Sequence, residues 1–235
     1  MTEAILDFMR VNIAATRDRW VKKVLLALPR GLRILDVGAG EAPYKKWCVG
    51  QEYLAQDFAE YDGVGDGVGF QTGTWDRTNI DIVSDIISIP QPDASFDVLV
   101  CTEVLEHVPD PVRALAECTR LLKPGGTLIV TAPFFSMTHF APYHFCTGFN
   151  RYFYEKHLEG YEMLEVSSQG SFFAVVLQQI MFVPRFCSRY FGIIWAIISI
   201  PFIIPALLFL RIAMVFDVGL KEFLCFAYFV RARKK

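Results

Sequence analysis

The chain has 235 residues, with 23 Lys+Arg against 25 Asp+Glu, and is 53% apolar with a mean hydropathy of +0.34. That length suits one sizeable domain with additions, and the hydropathy is high for a fully soluble protein. Residues 1–170 carry a net charge of −8 and residues 171–235 a net +6, so an acidic head precedes a basic apolar tail, and a nucleic-acid partner is disfavoured for the head.

Six cysteines, at 48, 101, 118, 146, 187 and 225, are scattered with no Cys-x-x-Cys. They read as reduced intracellular thiols, mostly buried, and not as a disulfide framework or zinc site. Asp7 and Arg10 interrupt any apolar run at the N-terminus, so no signal peptide is expected. Residues 3–28 read as an amphipathic helix, with Ile5, Phe8, Met9, Ile13, Trp20, Val24, Leu25 and Leu28 mostly at three- and four-residue spacings. Pro29-Arg30-Gly31 ends it. It is expected either to pack on the core or to act as a lid over a ligand cleft, because it enters directly before the first strand.

Ile34 to Val37 reads as a short buried strand, followed by Gly38 and Gly40 at a strand-to-loop turn. Glycines there permit positive φ and close approach of a ligand. Taken alone, the turn fits a cofactor loop, a dinucleotide loop or a plain tight turn. Glu52 to Ala55 is a second strand, followed by Gln56 and Asp57. Asp57 stands 19 residues after Gly38, where a ribose-binding carboxylate would accept from both hydroxyls. A surface acid is the alternative. Residues 62–76 contain a Gly-x-Gly-x-Gly string, but no apolar strand precedes it and no periodic helix follows, so a flexible loop is expected.

Ile80, Ile82 and Val83 form a third strand ending at Ser84-Asp85, and Phe96 to Cys101 a fourth, apolar except for Asp97. Glu103-Val104-Leu105-Glu106-His107 follows at its carboxyl end. Asp110-Pro111 starts a helix with an N-cap acid and proline at the first position. Lys123-Pro124-Gly125-Gly126 stops it before a fifth strand, Thr127 to Ala132. Strands alternating with helices predict a doubly wound α/β sheet, with ligands bound beyond the carboxyl ends of its strands.

Four ordered segments now resemble the class I S-adenosylmethionine-dependent methyltransferases: Leu-Asp-Val-Gly-Ala-Gly, Val-Ser-Asp, Ser-Phe-Asp-Val-Leu-Val-Cys-Thr-Glu-Val-Leu-Glu-His-Val and Leu-Leu-Lys-Pro-Gly-Gly-Thr-Leu-Ile-Val-Thr-Ala-Pro. The last two resemble the type 11 methyltransferase family. The resemblance spans residues 33–133 and departs at Ala42, where the family's third glycine would stand. It implies a Rossmann-like seven-stranded sheet and S-adenosylmethionine as cofactor. Asp36, Gly38, Ala39 and Gly40 would take its methionyl end, Asp57 the ribose, and Asp85 with Ile86 the adenine. Thr102 and Glu103 would border the site.

Residues 139–162 are similar to the region after strand five in a bacterial subset of that family, often linked to cell-surface sugars or lipid-linked intermediates. The stretch supplies His139, Tyr143, His144, Asn150 and Arg151 among many aromatic rings, which suits a sugar or amphipathic acceptor. A structural aromatic cap is the alternative. A hydroxyl acceptor needs its proton removed, and His144 or His139 is the expected base, with Glu103 as runner-up. His107 is expected to close a turn. No metal is expected, since His139 and His144 are five residues apart and no third ligand is evident from spacing.

Val166 to Pro184 carries no charge, and Tyr190 to Leu210 is a second uncharged run of 21 residues, long enough to span a bilayer. Pro201 and Pro205 are expected to break it. Glu222 to Arg233 resembles the last antiparallel strand of the methyltransferase sheet. If strand six (161–168) and strand seven share one sheet, the segment between them crosses a membrane zero times or twice. Two proline-broken helices in the interface are the expected picture, with Arg185, Arg189, Arg211 and the basic terminus at anionic headgroups on the cytoplasmic face. A buried insertion or dimer interface is the alternative.

Three parts follow: residues 1–170 as the core with its N-terminal helix, 171–220 as an apolar helical insertion, and 221–235 as the final strand and basic terminus. The functional expectation is a membrane-associated methyltransferase acting on a sugar or lipid-linked cell-envelope acceptor. The alternatives are a degenerate domain serving as a membrane scaffold and, less favoured, an NAD-dependent oxidoreductase.

Overall fold

The computed structural model describes residues 12–217 and 219–235, so Ile5, Phe8 and Met9 of the expected first helix lie outside the described residues. The remainder of that helix is α1 (Ile13–Leu26), whose Val21, Val24 and Leu25 are buried. They pack against Ile34, Tyr44, Val98, Val100 and Ile129, so this part of the helix covers the sheet.

Seven strands form one sheet: β1 (Arg33–Val37), β2 (Glu52–Asp57), β3 (Ile82–Val83), β4 (Phe96–Thr102), β5 (Leu122–Pro133), β6 (Tyr161–Gln169) and β7 (Ala227–Lys234). Their order is β3-β2-β1-β4-β5-β7-β6. The β3 to β5 half is parallel throughout, and β7 runs antiparallel to β5, with Val130 opposite Val230. Central strands β1 and β4 are almost wholly buried, as their largely apolar sequence requires. Helix α2 (Pro111–Leu121) starts as expected: Asp110 Oδ1 accepts from Arg113 N at 3.0 Å, and Pro111 occupies the first turn, where its missing N–H costs nothing. A short helix α3 (Arg151–His157) precedes β6.

The edges of the elements differ from the sequence expectation in three places. The Lys-Pro-Gly-Gly stretch is absorbed into β5, which pairs Leu122 with Phe96 and shifts register before Val98. A bulge lets the strand start early while Gly125 takes φ +76°. The last strand begins at Ala227, because Leu220–Glu222 forms a 3₁₀ turn. The third difference is the glycine-rich loop. It is tied along its length to the segment after β5: Asp66 N donates to Ala141 O, and Phe70 exchanges backbone bonds with Thr138 and Phe140. Gly65 and Gly69 are needed there, since a Cβ would lie 2.0 Å from Ala141 O and 2.3 Å from Thr138 O.

Two compact units divide the chain: Ala15–Ser167 with Ala227–Lys235, which holds the sheet, and one that includes Ser168–Phe226. The second contains α4 (Phe172–Phe191) and α5 (Ile193–Ala213), joined at Gly192. Ser171 caps α4 by accepting from Ala174 N. Leu177, Leu207 and Leu210 form a small core between the two helices. Pro201 and Pro205 do not break α5, which stays one helix of 21 residues, roughly 31 Å at 1.5 Å per residue. A proline removes one backbone bond and bends a helix, and the flanking bonds here carry it through. Its rings face outward: Phe202 is 75% exposed and Phe209 66%.

Candidate active site

The carboxyl ends of β1, β2 and β4 open on a cavity of about 790 Å³. At one end lies the glycine turn. Gly38 (φ +66°) and Gly40 (φ +55°) both have left-handed backbone. A Cβ on Gly38 would sit 2.5 Å from Val104 Cγ2, and one on Gly40 2.7 Å from Trp75 Cζ2, so nothing larger fits either position. Ala42, which replaces the family's third glycine, takes φ +53° and is buried beside Ala39 and Ala55. A left-handed alanine costs roughly 1–2 kcal/mol, and the turn holds it all the same.

β2 fixes that turn. Gln56 O accepts from Ala39 N at 2.8 Å, and Asp57 Oδ2 accepts from Gly40 N at 2.9 Å. Asp57 Oδ1 accepts from Ala59 N at 2.8 Å, leaving the carboxylate with lone pairs on the cavity wall. Gln56 also reaches Ser84 O, which ties β2 to the turn after β3. Asp85 and Ile86 line the cavity there, Asp85 exposed and Ile86 buried. Gly38, Ala39, Gly40, Asp57, Asp85, Ile86 and Thr102 thus all border one space.

Asp36 does not line it. The carboxyl is buried inside the sheet and accepts from Tyr53 OH at 2.6 Å. Burial raises it to about 7, with the Asp57 charge adding to the rise and the Tyr53 hydroxyl opposing it. Its place is structural, under the turn, and the methionyl role expected from the resemblance has no geometry here.

The other end of the cavity is aromatic. Tyr61 stacks on Phe140 at 4.7 Å, and Trp75 meets both edge-on. Tyr143 meets Phe58 edge-on at 4.9 Å and donates to Glu60 Oε2. Glu103 is held rigidly at the end of β4 with φ +55°: its Oε1 accepts from Thr131 Oγ1 at 2.9 Å, and Arg17 of α1 approaches Oε2 at 3.6 Å. Arg17 therefore lines the cavity from the helix read as core packing or lid.

The histidines sort differently from the sequence reading. His139 lines the cavity, whereas His144 stands beside it, ring to ring at 4.7 Å, with Nε2 on Ser136 Oγ and no place on the wall. Burial and His139 lower the basicity of His144. His107, expected only to close a turn, sits in a 3₁₀ turn and lines the cavity as well. Burial, followed by the neighbouring His139, lowers its pKa to about 3, so the ring is neutral. Glu106 beside it is fully buried, and burial and then the Glu103 charge push its carboxyl well up. Asn150 caps α3 by accepting from Phe153 N, and Arg151 pairs with Glu155, so neither reaches the cavity. Sequence reasoning missed Arg17, Trp75, Glu106 and His107. The Glu-His pair was visible in the motif after β4, but its partner His139 comes from a segment brought there by backbone bonds from Phe145 N and Cys146 N to Glu106 O.

The donor set fits S-adenosylmethionine. A carboxylate with free lone pairs at a strand end suits a ribose diol, the two glycines leave room for backbone approach, and the volume suits a nucleoside-sized ligand. Asp57 would hold the ribose, Asp85 and Ile86 the adenine, and residues 38–40 the methionyl end.

Residues 35–130 match the family model described as a methyltransferase domain. The chain is 32% identical over 123 residues to a ubiquinone biosynthesis O-methyltransferase of Leptothrix cholodnii, covering 51% of this chain and 52% of that protein. It is 38% identical over 104 residues to one of Xylella fastidiosa, covering 43% and 42%. The chain thus spans about half the length of the curated relatives it matches. Among solved structures, a SAM-dependent methyltransferase from Archaeoglobus fulgidus superposes with a TM-score of 0.56 at 15% identity, over 95% of this chain and 94% of that one. The [4+2]-cyclase SpnF superposes with a TM-score of 0.52 at 19% identity, over 91% and 79%. These two likenesses concern the fold, which hosts more than one chemistry. Glycine turn, strand-end carboxylate, strand order and the match over residues 35–130 agree: this part of the chain is a methyltransferase domain, similar to the class I S-adenosylmethionine-dependent methyltransferases of type 11.

Proposed function

We propose that the protein transfers a methyl group to a hydroxyl oxygen of an amphipathic, lipid-linked acceptor whose sugar or other ring lies in the aromatic end of the cavity. One observation carries this reading. In a single cavity, residues 38–40 and Asp57 form one end that suits the cofactor, and Tyr61, Trp75, Phe140 and Tyr143 with imidazoles beside them wall another that suits an acceptor. When bound, S-adenosylmethionine supplies an electrophilic methyl group, so the chain must orient the acceptor oxygen and accept or guide away its proton. His139, His107 and Glu103 are the groups on the wall able to do so. The relatives named for ubiquinone biosynthesis support an oxygen acceptor. The purified protein with labelled cofactor and an envelope lipid extract is expected to yield S-adenosylhomocysteine and a labelled lipid. Cofactor binding without turnover on any envelope fraction would favour the scaffold reading, and calorimetric binding of NAD in place of S-adenosylmethionine would favour the oxidoreductase.

The apolar unit supports a membrane setting. Among the described residues, Ile193–Phe216 is the one helix long and apolar enough to cross a bilayer, and little of it is buried. Because β6 and β7 belong to one sheet, residues 170–226 begin and end on one side, with zero or two crossings. We place the protein on the cytoplasmic membrane face. It is expected to stay with membranes in high salt, which would release a purely electrostatic binder. Reporters fused before Met1 and after Lys235 are expected on the same, cytoplasmic side. Opposite sides would refute the placement, and full solubility without detergent would favour a buried insertion or dimer interface.

A further inference from the structure

We propose that Glu106, His107 and His139 bind a divalent transition cation at the acceptor end of the cavity. The three side chains come from two segments, the turn after β4 and the chain after β5, and offer ligand atoms within 4.8 Å of one another. Glu106 Oε1 lies 3.7 Å from His107 Nε2 and 4.0 Å from His139 Nε2.

The hydrogen-bonding inventory motivates the cation. His107 Nδ1 faces Tyr143 O, and His139 Nδ1 faces Met137 O at 2.9 Å. A carbonyl oxygen only accepts, so each Nδ1 carries the proton and each Nε2 presents a bare lone pair. Glu106 is fully buried, and neither of its oxygens, nor His107 Nε2, has a hydrogen-bonding partner among the described residues. Buried Glu106 and His107 and the half-buried His139 thus converge on one point with at most one proton, that of a protonated Glu106, to share among them. One shared proton could bridge only one of the two imidazoles, and both gaps exceed hydrogen-bonding reach. A cation satisfies all three groups at once.

The chemistry of the donors selects the ion. Two imidazoles and a carboxylate suit zinc, iron(II) or manganese, and backbone carbonyls on the far ring nitrogens are the usual support for metal-bound histidines. Bonds of about 2.0–2.1 Å in a tetrahedral site place donors roughly 3.3 Å apart, so Glu106 and each histidine need to close by less than about 1 Å, and no pair by more than about 1.5 Å. His107 and His139 line the cavity, which leaves the remaining coordination positions facing the acceptor. Three protein ligands and an open position are the pattern of a catalytic site. Its role rests on the methyl-transfer reading above. An acceptor hydroxyl bound there loses its proton to solvent more readily. A lone pair of its oxygen then forms the bond to the methyl carbon as the carbon–sulfur bond breaks, and the electrons of the broken bond stay on sulfur.

Metal binding is tested apart from turnover. Tag-free full-length protein, stripped with chelator, is titrated with Co²⁺ and followed by its visible absorption. Ligand-field bands should saturate at one Co²⁺ per chain and disappear on adding Zn²⁺. His139→Gln and Glu106→Gln should each weaken Co²⁺ binding by more than about 100-fold, beyond the 10–100-fold that losing a supporting partner costs. Circular dichroism and melting verify the fold of both variants. Absence of stoichiometric Co²⁺ binding by the unaltered protein, or unchanged affinity in folded His139→Gln, would overturn the site. Stoichiometric binding without turnover on envelope lipids would leave the site standing and refute the acceptor reading alone.

Discussion

Gly38→Ala is expected to lower the melting temperature by on the order of 10 °C and to remove measurable S-adenosylmethionine binding. Two costs add at this position. The backbone has φ +66°, where an L-residue loses about 1–2 kcal/mol. The new methyl would also sit 2.5 Å and 2.7 Å from the two Cγ atoms of Val104, and overpacking of this kind costs about 1–3 kcal/mol. The sum is about 2–5 kcal/mol, and a chain of this size loses about 2–4 °C per kcal/mol. Val104 follows β4 on the cavity wall, so relief of the clash by moving either segment disturbs the place where the methyl donor would lie. Gly38→Ala combined with Val104→Ala removes the two closest contacts, leaves Val104 Cβ at 3.2 Å and keeps the strained φ. The pair should therefore recover stability beyond the sum of the single changes, a coupling that a double-mutant cycle measures. A single variant that melts and binds like the unaltered protein would show that the turn is looser than its geometry.

Asp57→Ala is expected to weaken S-adenosylmethionine binding by roughly 10- to 150-fold, the equivalent of about 1.5–3 kcal/mol for hydrogen bonds to a charged acceptor. The carboxylate has two tasks. Toward the protein it accepts from Gly40 N and Ala59 N, and toward the cavity it offers its remaining lone pairs to a diol. Losing it removes the ligand contact and leaves the Gly40 donor unpaired, so the loop that would carry the methionyl end loosens as well. Asp57→Asn keeps the shape and one acceptor oxygen, and should fall between the two. Asp85→Ala should cost less, because Asp85 is exposed and only one adenine contact is proposed for it. Calorimetry of the three variants orders them, and an unchanged dissociation constant for Asp57→Ala would remove this residue from the site.

The amino-acid sequence by itself determined the sheet and which strand ends border the cavity. Largely apolar strands, glycines at the first turn, an acid 19 residues later and an Asp-Pro helix start are local signals, each set by backbone sterics or burial within a few residues. They placed Gly38, Gly40, Asp57, Asp85 and Thr102 at strand ends, and the parallel sheet gathers such ends on one side. The acceptor end was not legible in this way. His144 looked like the base and stands off the wall, while His107 looked like a turn residue and lines it. Asp36 looked like a ligand and is buried against Tyr53. Such placements depend on which segments the backbone bonds of Glu106 and Phe70 pull together, across 36 residues for His107 and Tyr143. No spacing rule reaches that far, because spacing encodes the periods of helices and strands and not the meeting of two loops. Convergence of Glu106, His107 and His139, and the continuity of α5 through two prolines, were therefore decided by the tertiary structure alone.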